Sequence, residues 1–148
     1  MKQKIIFGND KIAQLKRLID NINPKMILLL SGNRSYYRTG AKKLIDSLTL
    51  GYKKFRFYDF SINPQYEDVK RGVKLIKKTN PELIIAIGGG SVIDMGKQIN
   101  ILSNNEYSKK SIINKVRLKK PKIPLIAIPT TSGTGSESTS FSVIYINL

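Results

Sequence analysis

The chain has no cysteine and no histidine, and its 26 lysines and arginines stand against only 10 acidic residues in 148 positions. Without cysteine there is no disulfide framework, which points away from a small stapled secreted fold. Without cysteine or histidine, a zinc or iron site of nitrogen and sulfur ligands cannot be assembled from these residues. Long apolar runs are missing too: no segment approaches a membrane span, and Met1-Lys2-Gln3-Lys4-Ile5-Ile6-Phe7-Gly8 has neither the apolar stretch nor the cleavage site of a signal peptide. The expectation is a cytoplasmic chain with no membrane partner.

The shortage of acid leaves a formal charge of +16, a balance that elsewhere marks nucleic-acid binders. Here lysine outnumbers arginine 20 to 6 and falls in scattered doublets, among them Lys42-Lys43, Lys77-Lys78 and Lys119-Lys120. Doublets spread over helices and loops read as solvated faces, so nucleic acid is not expected as a partner. Hydrophobic residues make up 41% of the chain, enough for one core.

Against this background, the run Leu83-Ile84-Ile85-Ala86-Ile87 breaks into Gly88-Gly89-Gly90 and restarts as a helix at Ser91-Val92-Ile93-Asp94. A buried parallel strand ends in this way at a phosphate site. Residues without a β-carbon let backbone N–H groups approach an anion, and the helix presents its positive end to the same charge. A second apolar run, Ile123 to Pro129, leads into Thr130-Thr131-Ser132-Gly133-Thr134-Gly135-Ser136-Glu137. Five hydroxyls and two glycines within Thr130–Ser136 line a polar ligand better than they form a linker after a buried strand.

The rest of the chain alternates strand and helix. Ile5–Phe7 is expected as a short opening strand, and Asn9 or Asp10 as the cap of a helix with Ile12, Leu15, Leu18 and Ile19 on its apolar side. Met26–Leu30 reads as a buried strand, Ser31–Ser35 as its loop, and Ala41, Leu44, Ile45 and Leu48 as the face of the next helix. Phe55–Phe60 alternates as a strand; Asn63-Pro64 turns into a helix bearing Val69, Val73, Leu75 and Ile76, which Asn80-Pro81 closes. A last β segment is expected at Phe141–Ile146. Strand-helix repetition with right-handed crossovers gives an α/β, Rossmann-like, doubly wound and mainly parallel sheet with its binding crevice at the carboxyl ends of the strands.

Gly88-Gly89-Gly90-Ser91-Val92-Ile93-Asp94-Met95-Gly96-Lys97 and Pro129-Thr130-Thr131-Ser132-Gly133-Thr134-Gly135-Ser136-Glu137 together strongly resemble the iron-containing (group III) alcohol dehydrogenase family. Met95-Gly96 departs mildly from the family's small residue and Ala, and glycine there is expected to loosen the helix. The resemblance runs over practically the whole chain and implies that residues 1–148 are the family's N-terminal NAD(P)-binding domain, truncated before the helical C-terminal domain. In the family, one Asp and three His of that second domain hold a divalent metal, Fe or Zn. The 148 residues alone are therefore expected to be inactive and to supply no catalytic and no metal-binding residue. A homo-oligomer, or self-association through an exposed domain interface, is expected.

By the resemblance, the cofactor is NAD or NADP and the substrate a small alcohol or aldehyde. The pyrophosphate would lie at Gly88, Gly89, Gly90 and Ser91, and Thr130, Thr131, Thr134, Thr139 and Val143 fall on positions that contact the cofactor in relatives. Asn63 matches a further cofactor contact, with a turn-forming Asn as the alternative. Asp94 would bond ligand hydroxyls or serve the helix dipole, while Lys97 belongs to the motif or is simply solvent-facing. Relatives that favour NAD present an acid after the second strand; Gly32, Asn33 and Arg34 stand there instead. They neither accept bonds from a ribose diol nor repel a 2′-phosphate, and Arg34 could pair with one. Asn33 is counted with the cofactor contacts, and the choice of cofactor stays open.

Ser35-Tyr36-Tyr37-Arg38-Thr39-Gly40-Ala41, Phe57-Tyr58-Asp59-Phe60-Ser61-Ile62-Asn63-Pro64 and Glu67-Asp68-Val69 are similar to the family branch that reduces phosphonoacetaldehyde. Two other readings remain. One is a glycerol or sugar-phosphate dehydrogenase or a dehydroquinate-synthase-like relative, against which the Pro129–Glu137 motif argues. The other is a non-catalytic nucleotide-binding or interaction module.

Overall fold

The computed structural model describes residues 3–8, 11–114 and 117–146, the side chain of Ile12 excepted. Four strands, β1 (Ile27–Ser31), β2 (Lys54–Phe57), β3 (Leu83–Gly88) and β4 (Leu125–Pro129), form one parallel sheet in the order β2-β1-β3-β4. β1 and β3 are buried along their whole length, which is why they read as unbroken apolar runs: both faces of the sheet are covered, so no polar position is left between apolar ones.

Alternate side chains separate two cores. Leu28, Leu30, Ile84 and Ala86 meet α4 (Tyr66–Thr79) and α5 (Gly90–Ser103) through Val69, Val73, Ile76, Met95, Ile99 and Leu102. Ile27, Leu29, Leu83, Ile85 and Ile87 meet α1 (Ile12–Ile22), α2 (Ser35–Arg38) and α3 (Ala41–Leu48) through Ile19, Tyr36, Ala41, Ile45 and Leu48. A further short helix, α6 (Lys109–Ile113), begins with Ser108 and Ser111 bonded reciprocally in a capping box. The expected α/β, doubly wound parallel sheet is thus present.

Glycine is required where elements touch. A β-carbon on Gly72 of α4 would lie 2.5 Å from Ile99 of α5, and one on Gly96 would lie 3.2 Å from the Ala86 β-carbon of β3. The glycine expected to loosen α5 instead lets the helix lie close on the central strand. Asn23, Asn63 and Asn80 are the non-glycine residues with positive φ among the described residues, and each precedes a proline. Proline disfavours the right-handed helical region for the residue before it, and Asn tolerates the left-handed one, so Asn23 and Asn80 end α1 and α4.

Three expectations about local structure fare differently. Ile5–Phe7 is not a strand: residues 3–8 carry no strand, and Phe7 is 91% exposed, with no neighbouring edge to complete the pairing. Phe141–Ile146 is not a strand and makes one bridge among the described residues, Tyr145 with Gln65; the Val143 N–H and the Phe141 and Val143 carbonyls are taken instead by side chains of α5. The proposed caps Asn9 and Asp10 lie outside the described residues.

Candidate functional site

β1 and β3 are neighbours, yet β1 continues to β2 on one side while β3 continues to β4 on the other. The loops that follow them diverge at this switch point, the place at the carboxyl edge where open α/β sheets bind their ligands. The turn after β3 and the loop after β4 lie side by side there: Gly88 pairs with Pro129, and the Thr130 N–H donates to the Gly88 carbonyl at 2.9 Å. β-carbons on Gly89 and Gly90 would meet Thr131 Oγ1 at 3.2 Å and Thr134 Cβ at 3.3 Å. The three glycines have negative φ, so packing explains them. Gly88 makes room for Val92, Gly89 and Gly90 for the threonine loop.

α5 starts at this turn, with Gly89 as its extended cap residue. The Val92 and Ile93 N–H groups donate to the Gly89 carbonyl at 3.0 and 3.3 Å, which leaves those of Gly90 and Ser91 without an intrahelical acceptor at the start of a 14-residue helix. Ser91 Oγ accepts the Asn63 N–H at 3.1 Å, which joins the Asn63-Pro64 turn to the same edge. Among the expected contacts, Gly88, Gly89, Gly90, Ser91, Asn63, Thr130, Thr131 and Thr134 are therefore brought together. Asn33 belongs to the neighbouring loop after β1, where its carbonyl accepts from Arg56.

Asp94 serves the protein rather than open space. Its Oδ1 accepts a short bond from the Ser136 hydroxyl and its Oδ2 the Val143 N–H at 3.2 Å. Lys97 is not solvent-facing: its side chain is 16% exposed, lies 3.7 Å from Asp94, and donates to Phe141 O at 2.7 Å, Ser136 Oγ at 3.3 Å and Thr139 Oγ1 at 3.4 Å. Burial pushes the Lys97 ammonium below the usual lysine range, and Asp94 opposes that shift. Gln98 completes the group by donating to Val143 O at 2.6 Å. Thr139 and Val143 thus lie in a strap, residues 139–145, that runs from the threonine loop across α5 to Pro64 and Tyr66.

Arg56, absent from the expected contacts, organises the loop after β1 by donating to Ser31 Oγ and the carbonyls of Gly32 and Asn33. Its only signal in the sequence is a charge inside an aromatic strand. Two surface hollows, of about 520 and 450 Å³, lie at the opposite edge of the sheet, beside Asn104 and Pro24, away from these loops.

The family model described as iron-containing alcohol dehydrogenase matches residues 2–147. The chain belongs to that family. It is 32% identical over 144 residues to NADH-dependent butanol dehydrogenase B of Clostridium acetobutylicum, covering 95% of this chain and 36% of the relative. It is also 32% identical over 146 residues to an alcohol dehydrogenase of Thermococcus barophilus, covering 80% of this chain and 39% of the relative. The crystal structure of an iron-containing alcohol dehydrogenase from Thermotoga maritima superposes with a TM-score of 0.85 at 25% identity, over 99% of this chain and 41% of that one. A sulfoacetaldehyde reductase from Bifidobacterium kashiwanohense, solved with NAD+, shares the fold at 24% identity with a TM-score of 0.77, over 99% of this chain and 46% of that one. The chain spans less than half the length of each of these relatives. Among its described residues no helix is long and apolar enough to cross a membrane.

Proposed function

We propose that residues 1–148 act as the dinucleotide-binding domain of an NAD(P)-dependent alcohol dehydrogenase that interconverts a small alcohol and aldehyde. The observation that carries this reading is the contact between the Gly88–Gly90 turn and the Thr130–Thr134 loop at the switch-point edge. The first-turn N–H groups of α5 would hold the pyrophosphate, and the hydroxyls of Ser91, Thr130, Thr131 and Thr134 would bond the flanking sugars. A bound nicotinamide dinucleotide supplies the hydride acceptor or donor. Asp94, Lys97 and Gln98 keep the threonine loop and the 139–145 strap against α5, so Asp94 is a positioning residue here.

The family's divalent metal does not fit this chain's own residues: there is no histidine, and the described residues hold no group of three or more Asp or Glu side chains able to bind one. The purified chain is expected to lack dehydrogenase turnover. For the substrate, the Ser35–Ala41 and Phe57–Pro64 segments support phosphonoacetaldehyde or a similar aldehyde bearing a dianion. Exposed Phe7, Ile62 and Phe141 support self-association; a strictly monomeric sedimentation profile at high concentration would argue against it.

The deciding experiment is titration of the purified chain with NADH and NADPH, followed by nicotinamide fluorescence. Saturable binding of at least one, weakened by Gly90→Val, is the expected result. Absent binding of both overturns the reading and favours a non-catalytic module.

A further inference from the structure

In a parallel sheet every strand starts at the same edge, and the helices that return the chain end there too. That amino edge lies opposite the loops of the candidate site. Lys25 stands two residues before β1, Lys53 immediately before β2 and Lys122 three before β4. Lys77 and Lys78 lie in the last turn of α4, ahead of β3. Lys119 and Lys120 join them because asparagines at the end of α5 clamp this stretch of backbone. Asn105 accepts the Lys119 N–H at 2.7 Å and donates to its carbonyl at 3.0 Å, Asn104 donates to the Lys120 carbonyl at 2.9 Å, and Asn100 to that of Ile123 at 2.7 Å. Doublets that look scattered along the chain are gathered by the topology into one place.

All seven lysines are exposed, and among the described residues none of their ammonium groups pairs with a carboxylate. Nearby, Asp20 is paired with Lys16, and Asp46 with Lys42 and Lys54, which leaves Glu82 and Glu106 to set against the seven. A cation in the last turn of a helix offsets its negative end, reason enough for Lys77 and Lys78. It does not account for Lys53 and Lys122, which precede strands. At the same edge, on the turn from α3 to β2, Leu50 is 79% exposed beside Gly51 at a φ of 85°.

These features select the partner. The lysines are spread over the width of the sheet, four strands or roughly 14 Å at about 4.8 Å per step. A small anion needs donors that converge, so an extended anionic surface fits them better. Every cation of the set is a lysine, a point charge without the fork that reads phosphates and base edges. Tyr52 on the α3–β2 turn offers no free face for stacking a base, since Lys16 lies over its ring and Asp20 holds its hydroxyl. We infer that the amino edge of the sheet, through its seven lysines and Leu50, docks on the surface of a lipid bilayer rich in anionic headgroups. Each lysine close to such a surface tightens binding by about fivefold, and Leu50 enters the headgroup boundary. The contact is superficial, with no helix crossing, and leaves the opposite edge open to the dinucleotide.

Co-sedimentation with phosphatidylcholine vesicles, with and without phosphatidylglycerol and at low and high salt, tests this. Binding is expected only with phosphatidylglycerol and should fall steeply as salt rises. Lys53→Gln, Lys119→Gln, Lys120→Gln and Lys122→Gln combined should weaken it by about a hundredfold or more. Arg17→Gln, Arg38→Gln, Lys43→Gln and Lys74→Gln combined remove the same charge elsewhere on the surface and should cost less than about tenfold. The sequence has no tryptophan, so Leu50→Trp supplies a single reporter whose emission should shift to the blue on anionic vesicles. Ile62→Trp, exposed on the loop after β2 at the other edge, should show no shift. No binding to anionic vesicles, equal binding to pure phosphatidylcholine, or equal losses in the two charge variants overturns the inference. So does a shift from Ile62→Trp in place of Leu50→Trp, or tighter binding of a mixed-sequence duplex DNA than of the vesicles. The two reporters locate the contact even if a fourfold variant does not fold.

Discussion

The two ends of the crevice hold their loops by different electrostatic means. On the β3–β4 side the tie is a compensated pair: Asp94 and Lys97 have side chains only 15% and 16% exposed and together bind Ser136, Thr139, Phe141 and Val143. On the β1–β2 side Arg56 does the same work with neutral partners alone. A buried pair is stabilised only while both members remain, whereas a cation among aromatic rings and carbonyls keeps charge available to a ligand. One end is therefore tied by a compensated pair, the other by a cation among neutral partners.

Removing half of the compensated pair should break that contrast most severely. Asp94→Ala leaves Lys97 desolvated and strips Ser136 and Val143 of their acceptor, an expected loss of about 3 kcal/mol in chemical denaturation. Lys97→Met should restore part of it in the double variant; costs of the two single variants that simply add in the double would mean that the pair is not coupled. Next in size is the turn beside it. Gly88→Ala places a β-carbon 2.6 Å from Val92 Cγ2, and the stiff Val side chain cannot turn away, so about 1–3 kcal/mol is expected. The same substitution in a Val92→Ala background should cost less.

A smaller effect sharpens the comparison through pH. Burial by itself would raise the Asp68 carboxyl, but the Ser61 N–H and Arg71 outweigh it and hold it below the usual range. Its contribution is thus complete above the ordinary aspartate value of about 3.9 and is lost as pH falls through the folded value. Asp68→Asn should flatten that acid limb of the stability profile. Lys97 gives a slope of the same sign in a more alkaline window: its folded value lies below the unfolded one, so wild-type stability should rise relative to Lys97→Met as pH climbs from that value toward the ordinary lysine range. A profile in which the two variants run parallel to wild type would contradict both assignments.

The strands β1 and β3 were legible because burial on two faces demands continuous apolar sequence, β4 because its apolar residues are partly buried on both faces, and α4 because its apolar positions recur at helical spacing. Phe141–Ile146 misleads for a reason in the fold. Its β-type composition describes a surface suited to pairing, but pairing needs a partner strand, and here the Val143 N–H goes to Asp94 and the Phe141 and Val143 carbonyls to Lys97 and Gln98. Lys97 misleads in the same way, since a motif lysine and a solvent-facing lysine look alike until the strap folds over it.

Sequence by itself determined the order of strand, glycine turn and helix, the family, and the edge of the sheet where polar loops collect, because hydrophobic periodicity and the lack of a β-carbon act over a few neighbouring residues. Tertiary structure alone decided why the glycines are needed, which groups hold Asp94 and Lys97, and that Arg56 lies under a loop 23 to 25 positions earlier in the chain. Those outcomes depend on groups far apart in sequence being desolvated together, and the energy of a charge or a close contact is set by what surrounds it in space.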